Sequence, residues 1–300
     1  MAGHWLEWET DYMQIGVVFP QHEIGADVGA IRAYAEAAED LGYKHVIAYD
    51  HILGANKQVH TALDGPYDIS HTFHEPFVLF GFLAGFTSLE FATGILIAPQ
   101  RQTALIAKQA AEVDLLSGGN RLRLGVGIGW NTVEYEALGQ DFASRGKRLE
   151  YQVALLRRLW TEKEVTSHDP FDTVTAAGLA PLPVTQPIPI WMGGNAPAAL
   201  DRIGRIADGW FPMAWPGHGL EASLEKIMAS RNIAGRSHLP FGIEGQLAYS
   251  ADFDKTMDFA DKWRAAGTTH LSVNTMYAGF ESIDGHIDAL ATVAAGFGLK

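Results

Sequence analysis

No cysteine occurs in the 300 residues, which excludes disulfide scaffolds, iron–sulfur clusters and thiolate zinc sites but leaves the compartment open. Positive charge is scarce. With 22 Lys and Arg against 35 Asp and Glu, the net charge is −13, and a surface built for nucleic acid is excluded as the main function. No apolar run approaches the roughly 20 residues of a membrane span, so no membrane partner is expected. The opening MAGHWLEWETDYM lacks the basic and apolar stretches of a signal peptide, and the chain is expected to be cytoplasmic. Metal-ligand spacing is missing too. His51, His60, His71 and His74 are close in sequence, yet Pro20-Gln21-His22-Glu23 contains no His-x-His pair and no compact set follows later strands. No metal is expected, and His71 and His74 read as solvated loop residues.

What is present points to a folded α/β chain. Hydrophobic residues make up 47% and charged residues only 19%, which excludes a disordered protein. Apolar runs predict strands at Met13–Pro20, His45–Leu53, Leu89–Pro99, Arg121–Trp130, Ile188–Gly193, Gly209–Ala214, Phe241–Tyr249 and His270–Met276. Helix-period segments lie between them, from Asp27–Leu41 to Ile283–Ala295. Such alternation predicts parallel pairing, because each crossover needs a helix-length connection. Eight units averaging about 36 residues suit a single (β/α)8 TIM barrel with insertions. Leu41-Gly42-Tyr43 and Ala266-Gly267-Thr268 each end a helix with glycine before a new strand, as the left-handed position after a helix prefers.

Two stretches interrupt the pattern. Gly54–His74 follows strand two, on the side where a barrel builds its active site, and is the better lid candidate. Ser167–Pro187, with four prolines, precedes a strand and belongs at the opposite rim unless it folds back.

Three segments carry chemistry-bearing patterns. In Arg121–Trp130, Leu122, Leu124, Val126 and Ile128 share one face and Gly125, Gly127 and Gly129 the other. A row of glycines fits either a ligand approaching the backbone or a crowded barrel interior. Trp191-Met192-Gly193-Gly194-Asn195 leads into a helix with Pro197 in its first turn and Asn195 as its expected cap, a ready anion site suited to phosphate. Asp50-His51 closes strand two where barrels place catalytic side chains, and histidine titrates near neutrality.

Together, Tyr49-Asp50-His51-Ile52-Leu53-Gly54-Ala55, the run Ala92–Arg101, the run Ala107–Gly119, the run Leu124–Asn131 and Pro189–Gly194 resemble the luciferase-like monooxygenase superfamily and, within it, its F420-dependent oxidoreductase branch. The resemblance runs from Met13 to about Pro212 and weakens beyond Gly217. Residues 1–12 read as an N-terminal extension, with Trp5 and Trp8 facing a partner surface, ahead of a barrel domain of residues 13–300.

The resemblance implies a flavin or deazaflavin at the C-terminal face of the barrel and a non-prolyl cis peptide at Gly94–Ile95. It implies cofactor contacts from Asp50, Gly94, Ile95, Gly127, Gly129, Trp130, Asn131, Met192, Gly193, Gly194 and Asn195. Asp50 and His51 are then the catalytic pair, with His51 handling a proton. Trp130 stands where the sugar-phosphate dehydrogenases of the branch carry a glutamate, and Ile52-Leu53-Gly54 replaces their tryptophan, so a sugar phosphate is not expected. Trp130, Trp191, Phe211 and Trp215 would instead line an apolar substrate pocket. The activity implied is hydride transfer between F420 and a small, fairly apolar molecule, in a homodimer. The alternatives are an FMN-dependent monooxygenase, a non-catalytic flavin- or deazaflavin-binding protein and a metal-dependent hydrolase. The acid excess is at odds with the oligoglutamate tail of F420 unless Arg101, Lys108, Arg145, Lys147 and Arg148 form a local basic patch.

Overall fold

A computed structural model describes residues 13–299; Trp5 and Trp8 lie outside the described residues. In chain order the elements are β1 (Gln14–Val18), α1 (Val28–Asp40), β2 (His45–Ala48), α2 (Pro76–Ala84), β3 (Glu90–Thr93), β4 (Leu96–Ile97), α3 (Thr103–Leu116) and β5 (Leu122–Gly127). There follow α4 (Thr132–Ala137), α5 (Arg145–Thr161), β6 (Val165–His168), β7 (Thr173–Ala177), β8 (Ile190–Gly193) and α6 (Pro197–Ile206). The chain finishes with β9 (Gly209–Phe211), α7 (His218–Ile233), β10 (Gly242–Ala248), α8 (Phe253–Ala265), β11 (His270–Asn274) and α9 (Ile283–Phe297).

All eight expected strand–helix units are present. β3 and β4 together form one interrupted stave, both pair with β5, and the ring closes as an all-parallel (β/α)8 barrel. The interruption is the cis peptide Gly94–Ile95, at the position the family resemblance implies. Gly42 (φ +88°) and Gly267 (φ +77°) occupy the left-handed positions expected after α1 and α8. Leu122, Leu124 and Val126 turn outward into the core shared with the helices.

Two features go beyond the sequence reading. The short helix α4 forms directly after β5, capped by Asn131 Oδ1, which accepts from Val133 N. Ser167–Pro187 contributes an antiparallel hairpin, β6–β7, that does fold back: Asp172 in its turn accepts from Thr103 Oγ1 at the start of α3, and Phe171 lies against Tyr151 of α5.

The barrel interior is filled by charge as well as by apolar side chains. Glu244 Oε2 receives Arg123 Nη1 at 2.8 Å, while its Oε1 meets His45 Nε2 at 3.0 Å and Ser272 Oγ at 2.7 Å. All four residues are buried. Burial alone would push the Glu244 carboxyl up, but the facing His45 and Arg123 outweigh it and hold it far below its ordinary 4.5. Burial, with Arg123 second, keeps the His270 imidazole well below its ordinary 6.5. Both shifts have the same sign for stability. His270 costs stability as pH falls through about 6.5, where the unfolded chain takes up its proton; Glu244 stabilises above about 4.5 and loses that contribution below it. Arg123→Met strands the Glu244 charge and should cost about 3–5 kcal/mol in urea unfolding at pH 7. A cost under about 1 kcal/mol would show that the guanidinium is not what holds the carboxylate.

Candidate active site

At the C-terminal ends of the staves lies a cavity of about 600 Å³. Asp50, His51, Gly94, Ile95, Gly127, Gly129, Trp130, Met192, Gly193, Gly194, Asn195, Phe211 and Trp215 all line it. Two predicted residues do not. Asn131 is buried one step behind the wall, spending its side chain on the α4 cap and on Leu53 O. Trp191 is 2% exposed and sits in the barrel interior beneath Phe211, over the Arg123 guanidinium at 4.7 Å and edge-on to His270. Depth explains the second correction: Trp191 points into the barrel on the same face as Gly193 but one layer lower, where Phe211 covers it.

The glycine face of β5 divides into a crowded lower level and an upper level at the cavity. Gly125 does not line the cavity; a Cβ there would overlap Thr93 O and crowd Phe211, so its smallness relieves crowding. Gly127 and Gly129 make room for Ile95 and Ile97 and also present bare backbone to the cavity.

Asp50 is a latch. It is 3% exposed; Oδ1 accepts from Arg101 Nη2 at 2.7 Å and Oδ2 from Ile97 N at 2.9 Å, which joins the end of β2 to the end of β4. Burial raises its pKa, with Arg101 pulling the other way. Arg101 also donates to Glu75 Oε1 at 2.9 Å, and Glu75 caps α2 through Val78 N.

His51 faces the cavity, and the Glu134 carboxylate lies against its ring. Glu134 Oε1 lies 3.1 Å from His51 Nδ1 and accepts from Ile52 N at 2.8 Å and Leu53 N at 3.2 Å; Oε2 accepts from Gln100 Nε2 at 3.1 Å. Burial would raise this carboxyl, but the bond to His51 and those from Gln100 and the backbone leave it lowered and ionised. An acceptor on Nδ1 assigns the ring proton to that nitrogen and leaves Nε2 as the second exchange site. The sequence reading missed Glu134, although Asn131-x-x-Glu134 has the spacing of a helix cap and its third-position acid.

A roof closes the site. In the lid candidate Gly54–His74, Pro66 and Tyr67 line the cavity, and Gly65 leaves no room for a Cβ against the Trp130 ring. Tyr67 and Phe73 pack edge-on to His51 at 5.2 and 4.7 Å between centroids, and to His22 at 4.9 and 4.8 Å. His71 and His74 are not solvated: the first bonds Asp68, the second donates to Gly25 O at 3.0 Å. Burial first, then His71 and His51, lowers the His22 pKa to about 4.

The opposite end of the cavity suits an anion. Gly194 takes φ +140°, its carbonyl accepts from Trp210 Nε1 at 3.1 Å, and Pro197 opens α6. The cap position belongs to Ala196, not Asn195, and no side chain caps it. A helix start without a side-chain cap has backbone N–H groups that can take an anion. Arg202, on the same helix, lines the cavity and pairs with Glu150 at 3.0 Å. None of Arg101, Lys108, Arg145, Lys147 and Arg148 lines the cavity: Arg101 pairs with Asp50 and Glu75, Lys108 with Glu112, and Arg145 and Arg148 lie over Phe142 and Phe171. No group of three or more potential metal ligands occurs among the described residues.

Glu134→Gln should cost about 1.5–3 kcal/mol and change the His51 tautomer from Nδ1–H to a mixture, read by imidazole ¹⁵N NMR. An unchanged tautomer would show that the carboxylate does not orient the ring.

The model of the luciferase-like monooxygenase family matches residues 13–294. An uncharacterized protein of Mycobacterium tuberculosis is 37% identical over 216 residues, 70% of this chain and 73% of its own. An F420-dependent glucose-6-phosphate dehydrogenase of Kribbella flavida is 31% identical over 249 residues, 79% and 70% of the two chains. An FMNH(2)-dependent dimethylsulfone monooxygenase of Pseudomonas putida is 28% identical over 218 residues, 70% and 56%. In three dimensions the barrel is similar to the monooxygenase RslO1 from Streptomyces bottropensis (TM-score 0.75, 17% identity, 94% and 98% covered). It is similarly close to an F420-dependent secondary alcohol dehydrogenase in complex with an F420–acetone adduct (TM-score 0.74, 18% identity, 94% and 98%).

Proposed function

As the chain belongs to the luciferase-like monooxygenase family, we propose that it is an F420-dependent oxidoreductase acting on a small, fairly apolar organic molecule. The observation that carries this reading is His51, held by Glu134 and facing the same cavity as the bare backbone of Gly94, Gly127 and Gly129. The residues fit the cofactor at both ends. The glycine wall takes a flat ring system, and Gly193, Gly194, the start of α6 and Arg202 take a phosphate. Bound there, F420 supplies the hydride-transfer chemistry. His51 gives or takes the accompanying proton at Nε2, because Nδ1 is committed to Glu134. Asp50 positions the β4 backbone and Arg101, while Tyr67 and Trp130 exclude water and confine the substrate.

An FMN-dependent monooxygenase is the second reading, and one observation favours it: Arg202 is the single cation lining the cavity among the described residues. One phosphate needs no more, whereas an oligoglutamate tail would lie outside the cavity on a protein of net charge −13. Fluorescence titration should show micromolar F420 binding and at least tenfold weaker FMN binding. His51→Ala should cut F420-linked turnover at least 100-fold with a Kd change under twofold. Tight FMN binding without F420 affinity would overturn the cofactor assignment, and unchanged turnover in the variant would point to a binding protein.

We further propose that the chain is a homodimer. α2, PFVLFGFLA, is apolar on every side, yet Val78 is 71% and Phe82 40% exposed, beside a groove shared with Val28 and Ile31 of α1. Light scattering should give about twice the 32.6 kDa chain mass, falling to one chain in Val78→Glu. A monomeric wild-type protein would remove the proposal.

A further inference from the structure

The floor of the cavity carries a hydrogen-bonded chain with a fixed direction. Met276 N donates to Asn274 Oδ1 at 2.9 Å, so the amide group of Asn274 presents Nδ2 on its other side. Asn274 Nδ2 donates to Tyr49 Oη at 3.4 Å, and the Tyr49 hydroxyl donates to Gln246 Oε1 at 2.9 Å. A backbone N–H cannot reverse its role, so the sequence of donors and acceptors runs one way. Burial pushes the Tyr49 phenol up and keeps it protonated as a donor. Gln246, at the end of β10, is left with Nε2 as its unspent group, and both Gln246 and Tyr49 line the cavity.

We propose that Gln246 Nε2 donates a hydrogen bond to the carbonyl oxygen of an uncharged substrate bound in the barrel mouth. The inference rests on the reading of this mouth as a substrate site and specifies the substrate class: a neutral molecule with an apolar body and one carbonyl acceptor. The surroundings select against charge. A ligand carboxylate would meet one neutral donor and no free cation from below, because Arg123 is already paired with Glu244 two residues away on the same stave. Arg202, the cation of the cavity, sits on α6 and is already paired with Glu150. The remaining neighbours, Phe211, Trp215 and Ile95, offer apolar surface. A buried donor that a ligand leaves unmatched costs affinity, so the amide rejects hydrocarbons as well.

The test uses 2-cyclohexen-1-one as the probe, with cyclohexene and cyclohex-1-ene-1-carboxylate as controls, titrated by ligand-observed NMR into the full chain with and without F420. The enone should bind about five- to tenfold tighter than either control, and Gln246→Leu should bring the enone within twofold of cyclohexene. Tyr49→Phe frees the amide to rotate and should lose part of the preference, which covers the case in which the leucine variant fails to fold. The F420 Kd should change less than twofold in Gln246→Leu. No preference in the wild type, a preference that survives both variants, or a carboxylate that binds tightest overturns the inference. A fivefold loss of F420 affinity in Gln246→Leu with the enone preference intact assigns the donor to a ring carbonyl of the cofactor and also overturns it. Failure of the wild type to bind F420 removes the functional reading, while the titrations without cofactor still decide the role of Gln246.

Discussion

The Glu134 carboxylate collects four partners from two segments of the chain: the His51 ring and two backbone amides beyond β2, and Gln100 beyond β4. The mouth of the barrel depends on it. A buried carboxylate satisfied by four partners is costly to rearrange, because each lost partner leaves desolvated charge behind. It therefore fixes where the chain turns after β2, and that turn carries both His51 and the start of the roof. Asp50 acts one step behind, tying the same turn to β4 and, through Arg101 and Glu75, to the first turn of α2. Orientation of the His51 ring and closure of the roof are two outcomes of one electrostatic arrangement.

Below the mouth, packing sets what the mouth can hold. Gly125 yields space to Phe211 and the Thr93 carbonyl, and Trp191 fills the level beneath with its ring over Arg123. The barrel is thus a filled plug with a polar middle, the Arg123–Glu244 ion pair and His45, and an apolar upper layer. Binding space begins only above that layer, where Gly127 and Gly129 replace side chains with backbone. The acid excess of the chain does not reach this space as free charge, since Asp50 and Glu134 are both engaged. Net charge describes the far field of the protein, and the site is governed by how individual carboxylates are partnered.

Some of this was legible in the sequence for a simple reason. Strand and helix periodicity, the glycine after α1 and α8, the glycine face of β5 and the turn before α6 are local patterns, encoded in neighbouring residues. The position of the Gly94–Ile95 cis peptide came through family resemblance; the resemblance also implied Asp50 and His51 as a catalytic pair, whereas Asp50 bonds Arg101 and Ile97 N and His51 meets Glu134. The reading of Trp191 as a pocket residue failed because aromatic character does not tell how deep in the barrel an inward side chain sits, and Phe211 covers it. Asn195 was expected to cap α6 because its residue type suits a cap, but the chain enters the helix one residue later.

The sequence by itself determined the (β/α)8 barrel, its rim carrying His51 and the glycine turn before α6, because each is a matter of local pattern and strand order. Only the tertiary structure decided which carboxylate orients His51, which cation lines the cavity and which way the Gln246 amide points. Glu134 is 83 residues from His51, and Gln246 is 197 from Tyr49. Such pairs meet only when the ring of strands closes, and no pattern within either segment carries the distance between them.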